Sequence, residues 1–337
     1  MFPWIYTLLR RTLRPAVTVV ACLVLAGALA ACGGDDNGGS DTTETGTEGG
    51  EPATLDVGVI PIADVAPLYL GIEEGFFEEE NLTINPQLAE GGAAITPAVI
   101  SGDFQIGFSN TVSLLIAASQ NIPVRIIAQG VLAGQDESEA WADLLVLKDG
   151  EIKEPTDLEG KTIAVNTLSN ICEVTIKASL EDMGVDVSTL EFAEMPFPDM
   201  NPALEAGRVD GACVVEPFVS LGKAGNAVGI DPFFVNTAPD LTVATYFTSA
   251  AYAQENPDIV ERFVRAMHKS LDYAQQNPDE VRDILLTYTE IPDEVAQLIT
   301  LPVWRSDLNV DTIELISELS LKYGLIEEQP DLGELLP

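Results

Sequence analysis

Polar side chains gather in five short segments where apolar runs stop: Pro61 to Val65, Glu90 to Ala93, Ser109 to Thr111, Asn166 to Asn170 and Glu216 to Phe218. Each runs into or near the start of a helical pattern, where free backbone N–H groups can hold an acceptor or an anion. As a binding set they offer Asp64, Gly92, Asn110, Thr111, Asn166, Ser169, Asn170 and Glu216. The same residues have plainer uses. Ser169 or Asn170 would cap a helix, as would Asp64 ahead of Ala66. Asn110 and Thr111 stand at a similar boundary, and Glu216-Pro217 would fix a strand exit. Trp141, set among Asp and Glu, is either a stacking face for a ligand or a packing anchor.

No Lys or Arg falls in these five segments. A sulfonate or nitrate would therefore lack a paired cation and depend on helix-terminal amides alone, unless Arg125, Lys161 or Arg208 reaches in. The amides of Asn110 and Asn166 with Trp141 suit a heteroaromatic ring such as a pyrimidine better. The expected ligand is small, organic and neutral, cationic or weakly anionic.

Catalytic chemistry finds little footing. The single histidine, His268, lies in a charged helical pattern, so a histidine-based centre or zinc site is not expected. No nucleophile elbow, phosphate loop or paired-cysteine motif occurs. With 54 Asp and Glu, carboxylate pairs arise by chance and carry no weight. No catalytic residue, metal or cofactor is expected. Against those 54 acids stand 16 Lys and Arg, a formal charge of −38, which argues against nucleic acid and against docking on anionic lipid. Of four cysteines, Cys22 and Cys32 lie near the start. Cys172 and Cys213 would meet only if their elements are neighbours; a bond suits a compartment outside the membrane, but sequence does not fix its geometry.

The N-terminus reads as an export signal. Arg10, Arg11 and Arg14 precede an apolar stretch from Ala16 to Ala31, short for a membrane span of about 20 residues. It ends Leu29-Ala30-Ala31-Cys32, which resembles the bacterial lipobox, whose cysteine is lipidated. Residues 1–31 are expected to be a lipoprotein signal peptide, with Arg10-Arg11 leaving a twin-arginine route open. Residues 32–54, rich in Gly, Asp, Glu and Thr, read as a solvated acidic tether whose ends lie roughly 25 Å apart.

The elements that must position the polar loops come next. A length of 337 residues and 46% hydrophobic composition fit about two domains of roughly 150 residues. Strands are predicted at Leu55–Ile60, Leu82–Pro86, Phe104–Phe108 and Val124–Gln129, with helices at Leu68–Glu80, Ile95–Ile100 and Thr111–Gln120 between them. That rhythm implies a parallel sheet covered by helices. It restarts with strands at Leu144–Leu147, Thr162–Val165, Leu190–Glu194 and Ala212–Val215, and helices at Ile171–Asp182 and Pro202–Ala206. Helices follow at Pro257–Gln276, Pro278–Thr289, Pro292–Ile299 and Val310–Lys322. In open parallel sheets ligands bind beyond the strands' carboxyl ends, which is where the five polar segments fall.

Several stretches carry a family resemblance. Ala66-Pro67-Leu68-Tyr69-Leu70-Gly71 and Gly75-Phe76-Phe77-Glu78-Glu79-Glu80-Asn81-Leu82 are followed by Ser101-Gly102-Asp103-Phe104-Gln105-Ile106-Gly107 and by Asp157-Leu158-Glu159-Gly160-Lys161-Thr162. Then come Ala206-Gly207-Arg208-Val209-Asp210-Gly211-Ala212, Glu216-Pro217 and Asn256-Pro257-Asp258. The ordered set, over about 55 to 290, resembles the ABC-importer substrate-binding proteins for alkanesulfonates, taurine, nitrate and thiamine precursors. The resemblance implies a two-lobed α/β fold of the type II periplasmic-binding-protein kind, with two hinge crossings, C-terminal helices and ligand in the cleft. Residues 55–146 and 246–337 would form lobe one and 147–245 lobe two, crossing near Leu144–Lys148 and Thr242–Ser249. It implies a solute-binding lipoprotein on the extracytoplasmic face of the cell membrane, serving an ABC importer permease. The rival classes are a structural or adhesion surface lipoprotein and a thiamine-precursor-synthase-like enzyme, whose cysteine-rich motif Ala212-Cys213-Val214-Val215 does not match.

Overall fold

A computed structural model describes residues 50–337. The signal peptide 1–31, Cys32 and most of the tether lie outside the described residues, and Ala53 and Thr54, assigned to the tether, already belong to the first strand.

The first part comprises β1 (Ala53–Val59), α1 (Ala66–Glu73), α2 (Phe76–Glu79), β2 (Leu82–Leu88), α3 (Gly92–Ser101), β3 (Ile106–Asn110), α4 (Thr111–Ser119) and β4 (Val124–Leu132). The second comprises β5 (Ala142–Leu147), β6 (Thr162–Val165), α5 (Ile171–Asp182), β7 (Glu191–Glu194), α6 (Phe197–Glu205), β8 (Gly211–Val215), α7 (Phe218–Ala224), β9 (Ala227–Asp231) and α8 (Phe233–Thr237). The chain then returns through β10 (Thr242–Ser249) to α9 (Ala250–Glu255), α10 (Pro257–Gln276), α11 (Pro278–Tyr288), α12 (Asp293–Ala296) and α13 (Val310–Lys322).

Two five-stranded sheets result, ordered β2-β1-β3-β10-β4 and β7-β6-β8-β5-β9, giving the two-lobed α/β architecture. Leu55, Val57 and Val59 of β1 are sealed from solvent, and each such side chain contributes roughly 1.5–3 kcal/mol. The helix predicted over Leu68–Glu80 is two, α1 and α2, because Gly75 takes a φ of 76° between them. Helix α10 buries Phe263, Ala266, Met267, Ser270, Leu271 and Ala274, a stripe at helical spacing. It lies so close to α1 that a Cβ on Gly71 would meet Ser270 Oγ at 1.9 Å.

Neither sheet is purely parallel, contrary to the rhythm's implication. β10 runs antiparallel to β3 and β4, and β5 antiparallel to β8 and β9. The reason is the direction of entry. Strands β1 and β3 run toward the gap between the lobes, whereas β5 and β10 each receive the chain from that gap and must run away from it. Both Leu144–Leu147 and Thr242–Ser249 thus lie inside sheets, and the crossings are the segments before them, residues 133–141 and 238–241. The two crossings pair with each other: Ala133 N–H donates to Leu241 O at 2.8 Å and Asp240 N–H to Gly134 O at 3.1 Å.

Candidate functional site

Strand ends from both sheets converge on a small interlobe cavity of about 40 Å³. From the first sheet it is lined by Ile60, Ile62, Asp64, Phe108 and Asn110, with Val243 and Ala244 of β10. From the second come Asn166, Asn170, Ile171, Cys172, Phe197, Val215 and Phe234. The lobes are closed here: a Cβ on Gly91 would stand 2.8 Å from Thr167 Cγ2 and 3.1 Å from Asn166 Nδ2 across the gap. That volume holds a few waters at most, so an organic solute can enter only when the lobes part.

Asp64 sits in a single turn of 3-10 helix, Ala63–Val65, between β1 and α1, and is 3% exposed. It caps nothing. Its Oδ1 is buried with no hydrogen-bond partner, and burial pushes the carboxyl up to about 8, offset only by its own backbone N–H. The turn itself is held from both sides, since Trp304 Nε1–H donates to Asp64 O at 3.1 Å and Ala63 N–H donates to Glu216 O at 3.0 Å.

Three amides complete the polar wall. Asn110 ends β3 and caps α4, accepting from Ser113 N–H at 3.0 Å and donating to Ser113 Oγ at 2.9 Å. Asn170 caps α5 through Glu173 N–H at 3.4 Å, and its Nδ2 donates to Asn166 Oδ1 at 2.7 Å. Capping and lining the cavity are therefore simultaneous roles for Asn110 and Asn170.

The remaining candidates lie off the wall. Thr111 is fully buried, its hydroxyl donating to Thr242 O at 2.5 Å and Val243 O at 3.0 Å. Gly92 opens α3 against the first sheet, where a Cβ would meet Ser109 Oγ at 2.0 Å. Ser169 is exposed at a φ of 53° and donates its N–H to Glu173 Oε2. Trp141 is 1% exposed, donates its indole N–H to Leu132 O at 2.9 Å and packs on Phe234, so it anchors the crossing segment instead of presenting a face to the cavity. Glu216, before a cis peptide bond to Pro217, is buried behind the wall. Its Oε1 accepts from Ser220 Oγ at 2.8 Å and from Thr300 N–H at 3.2 Å, and its Oε2 from Ser220 N–H at 3.0 Å. Burial raises its pKa, with the Ser220 bonds opposing. It ties the second lobe to the C-terminal part of the first.

Sequence reasoning missed the aromatic wall. Phe108, Phe197 and Phe234 face the cavity, and nothing in their apolar runs separates them from ordinary core. It also missed a second interlobe space of about 540 Å³ lined by Pro61, Leu88 and Tyr288 on one side and Pro198, Pro217 and Phe218 on the other. Glu205 and Glu290 stand at this space, and no Lys, Arg or His lines either interlobe cavity among the described residues. Arg125 lies elsewhere, in a concavity of about 650 Å³ beside α10, and Lys161 lies 4.0 Å from Asp210. Cys172 and Cys213 are joined by a disulfide, which puts a covalent strut from the cavity wall to β8.

A family model described as NMT1/THI5 like matches residues 62–281. The taurine-binding periplasmic protein of Escherichia coli K12 is 29% identical over 191 residues, 57% of this chain and 57% of that protein. The formylaminopyrimidine-binding protein of Halalkalibacterium halodurans is 22% identical over 223 residues, 65% of each chain. A third relative, the 4-amino-5-hydroxymethyl-2-methylpyrimidine phosphate synthase of Aspergillus parasiticus, is 24% identical over 61% of this chain and 62% of that one. The chain thus spans about three fifths of the length of the curated relatives it matches. Among solved structures, the alkanesulfonate-binding protein of Xanthomonas axonopodis pv. citri bound to MOPS superposes with a TM-score of 0.73 at 17% identity, covering 86% of this chain and 99% of that one. That likeness shows the fold as the periplasmic-binding-protein fold.

Proposed function

The chain belongs to the NMT1/THI5-like family, and from that premise we propose that it is an extracytoplasmic solute-binding lipoprotein delivering a small organic molecule to an ABC importer. One observation carries this reading: polar side chains from two separate lobes, Asp64 and Asn110 on one and Asn166 and Asn170 on the other, meet at strand ends around a single cavity. A surface or adhesion lipoprotein has no use for such convergence. The enzyme reading has one relative behind it, but Cys213 is bound to Cys172 and no histidine lines the cleft. The disulfide supports a location outside the cytoplasm. Anchoring through Cys32, after removal of residues 1–31, would hold the folded lobes on the tether at the outer membrane face. Membrane retention of a Cys32→Ala protein equal to that of wild type would sink the anchor.

The ligand reading favours a heteroaromatic molecule such as a pyrimidine over a sulfonate or nitrate. Three phenylalanines and three amides line the cavity, and among the described residues no cation does. Sulfonates, nitrate, pyrimidines and flavins compared by thermal shift test it. At about 100 times its dissociation constant a ligand adds roughly 2.7 kcal/mol of stability. A large shift with a simple sulfonate and none with the heterocycles would refute the ligand reading.

A further inference from the structure

Asp64 brings to the cleft a buried carboxyl whose Oδ1 has no partner. The turn that carries it is fixed at two backbone atoms. An aspartate kept for structure alone would find a donor, because an unpaired buried carboxylate is costly. None of the groups packed around it donates to that oxygen: Tyr288 donates its hydroxyl to Ile62 O, and the Tyr246 hydroxyl is itself buried without a partner. Tyr69, Tyr246 and Tyr288 are its titratable neighbours, and the phenols of Tyr246 and Tyr288 are held well above their usual range, first by burial and then by charge on Tyr69 and Asp64. The charged residues lining the larger interlobe space, Glu205 and Glu290, are acids as well.

What the cleft lacks is a positive charge, since no Lys, Arg or His lines either interlobe cavity among the described residues. A cationic nitrogen entering with the ligand would favour the ionised carboxylate over the protonated one and form a charge-assisted hydrogen bond in a dry site. We propose that Asp64 receives the ligand's charge, and that the ligand is a small organic cation or zwitterion whose basic nitrogen seats on this carboxylate. The proposal rests on the solute-binding reading and narrows its ligand class. The three amides would then orient the rest of the molecule, and simple anions would be rejected by an acidic cleft.

Matched pairs differing in the basic nitrogen test this by calorimetric titration: taurine against ethanesulfonate, and 4-amino-5-aminomethyl-2-methylpyrimidine against its 5-hydroxymethyl counterpart. For at least one pair the amine should bind the wild type about tenfold or more tightly than its partner at pH 7. Asp64→Asn, close to isosteric and checked for folding by circular dichroism, should erase that preference; Asp64→Glu should retain part of it. Equal binding of both members in every pair would overturn the role of Asp64 and leave solute capture standing, as would an Asp64→Asn protein that keeps the preference. A wild type that binds neither amine overturns the proposal. If it also fails to respond to the wider ligand panel, the solute-binding reading falls with it.

Discussion

Burying Asp64 in the closed cleft costs stability, and the sign of that cost is measurable. The carboxyl is raised by burial from 3.8 to about 8, so between those values the folded chain holds a proton that the unfolded chain has released. Stability of the unliganded protein therefore falls as pH rises through that window. Asp231, raised by burial to about 6 despite bonds from Ser179 and Asn236, adds the same trend at lower pH. Asp143 and Glu216 are also raised, burial again leading. From pH 6 to 8 Asp64 adds a falling slope of its own. Unliganded Asp64→Asn should be more stable than wild type at pH 8, with a flatter melting profile across that range. Profiles that run parallel would contradict the burial of a chargeable group. A substitution that stabilises the empty protein while weakening capture is the mark of a functional residue, not a structural one.

At the scale of elements, the disulfide links α5 to β8 where both meet the cavity. It closes a separation of 41 residues, and in the chain-entropy model its loss costs about 4 kcal/mol. Reduction, or a Cys172→Ser and Cys213→Ser protein, should lower the melting temperature by on the order of 5–10 °C. An unchanged melting temperature would mean the bond constrains nothing that the packing does not. Whether these cysteines meet was not legible in sequence, because one lies on a helix and the other on a strand brought together by the fold. What was legible followed local periodicity and capping: Ile171–Asp182, Pro257–Gln276 and Val310–Lys322 form the helices predicted. Short elements were lost. β9 is five residues at a sheet edge between Gly225 and Pro232, too brief for a period to register. Crossings were misplaced because strand direction is set by where the chain enters a sheet, which periodicity does not encode. Of the cavity lining, Asp64, Asn110, Asn166 and Asn170 were legible because polar residues at strand ends stand out, while Trp141, open in sequence between a stacking face and a packing anchor, is the packing anchor.

For the whole molecule, the question is what holds the lobes shut. Inside, Glu216 accepts from Ala63 and Thr300; at the rim, Lys322 and Tyr323 of the C-terminal region reach Glu181 of the second lobe. The rim contacts are exposed and each contributes little, about 0–1 kcal/mol. Against them stands Asp64, buried in the closed form with Oδ1 unpartnered. Closed and open states should therefore differ by a small free energy without ligand, and a bound solute decides between them by what it adds only in the closed form. The paired crossings, Ala133–Gly134 with Asp240–Leu241, are the natural hinge, since among the described residues the chain itself passes between the sheets only at these two segments. Gly134 admits no side chain there: a Cβ would fall 2.4 Å from that of Glu139. Small-angle scattering of unliganded protein should show a larger radius of gyration than scattering in the presence of a saturating compound from the thermal-shift panel. The liganded curve should fit the closed form described here for residues 50–337. Identical radii in the two states, with binding demonstrated in the same samples, would rule out lobe closure and leave the ligand to enter by the larger interlobe space without hinge motion.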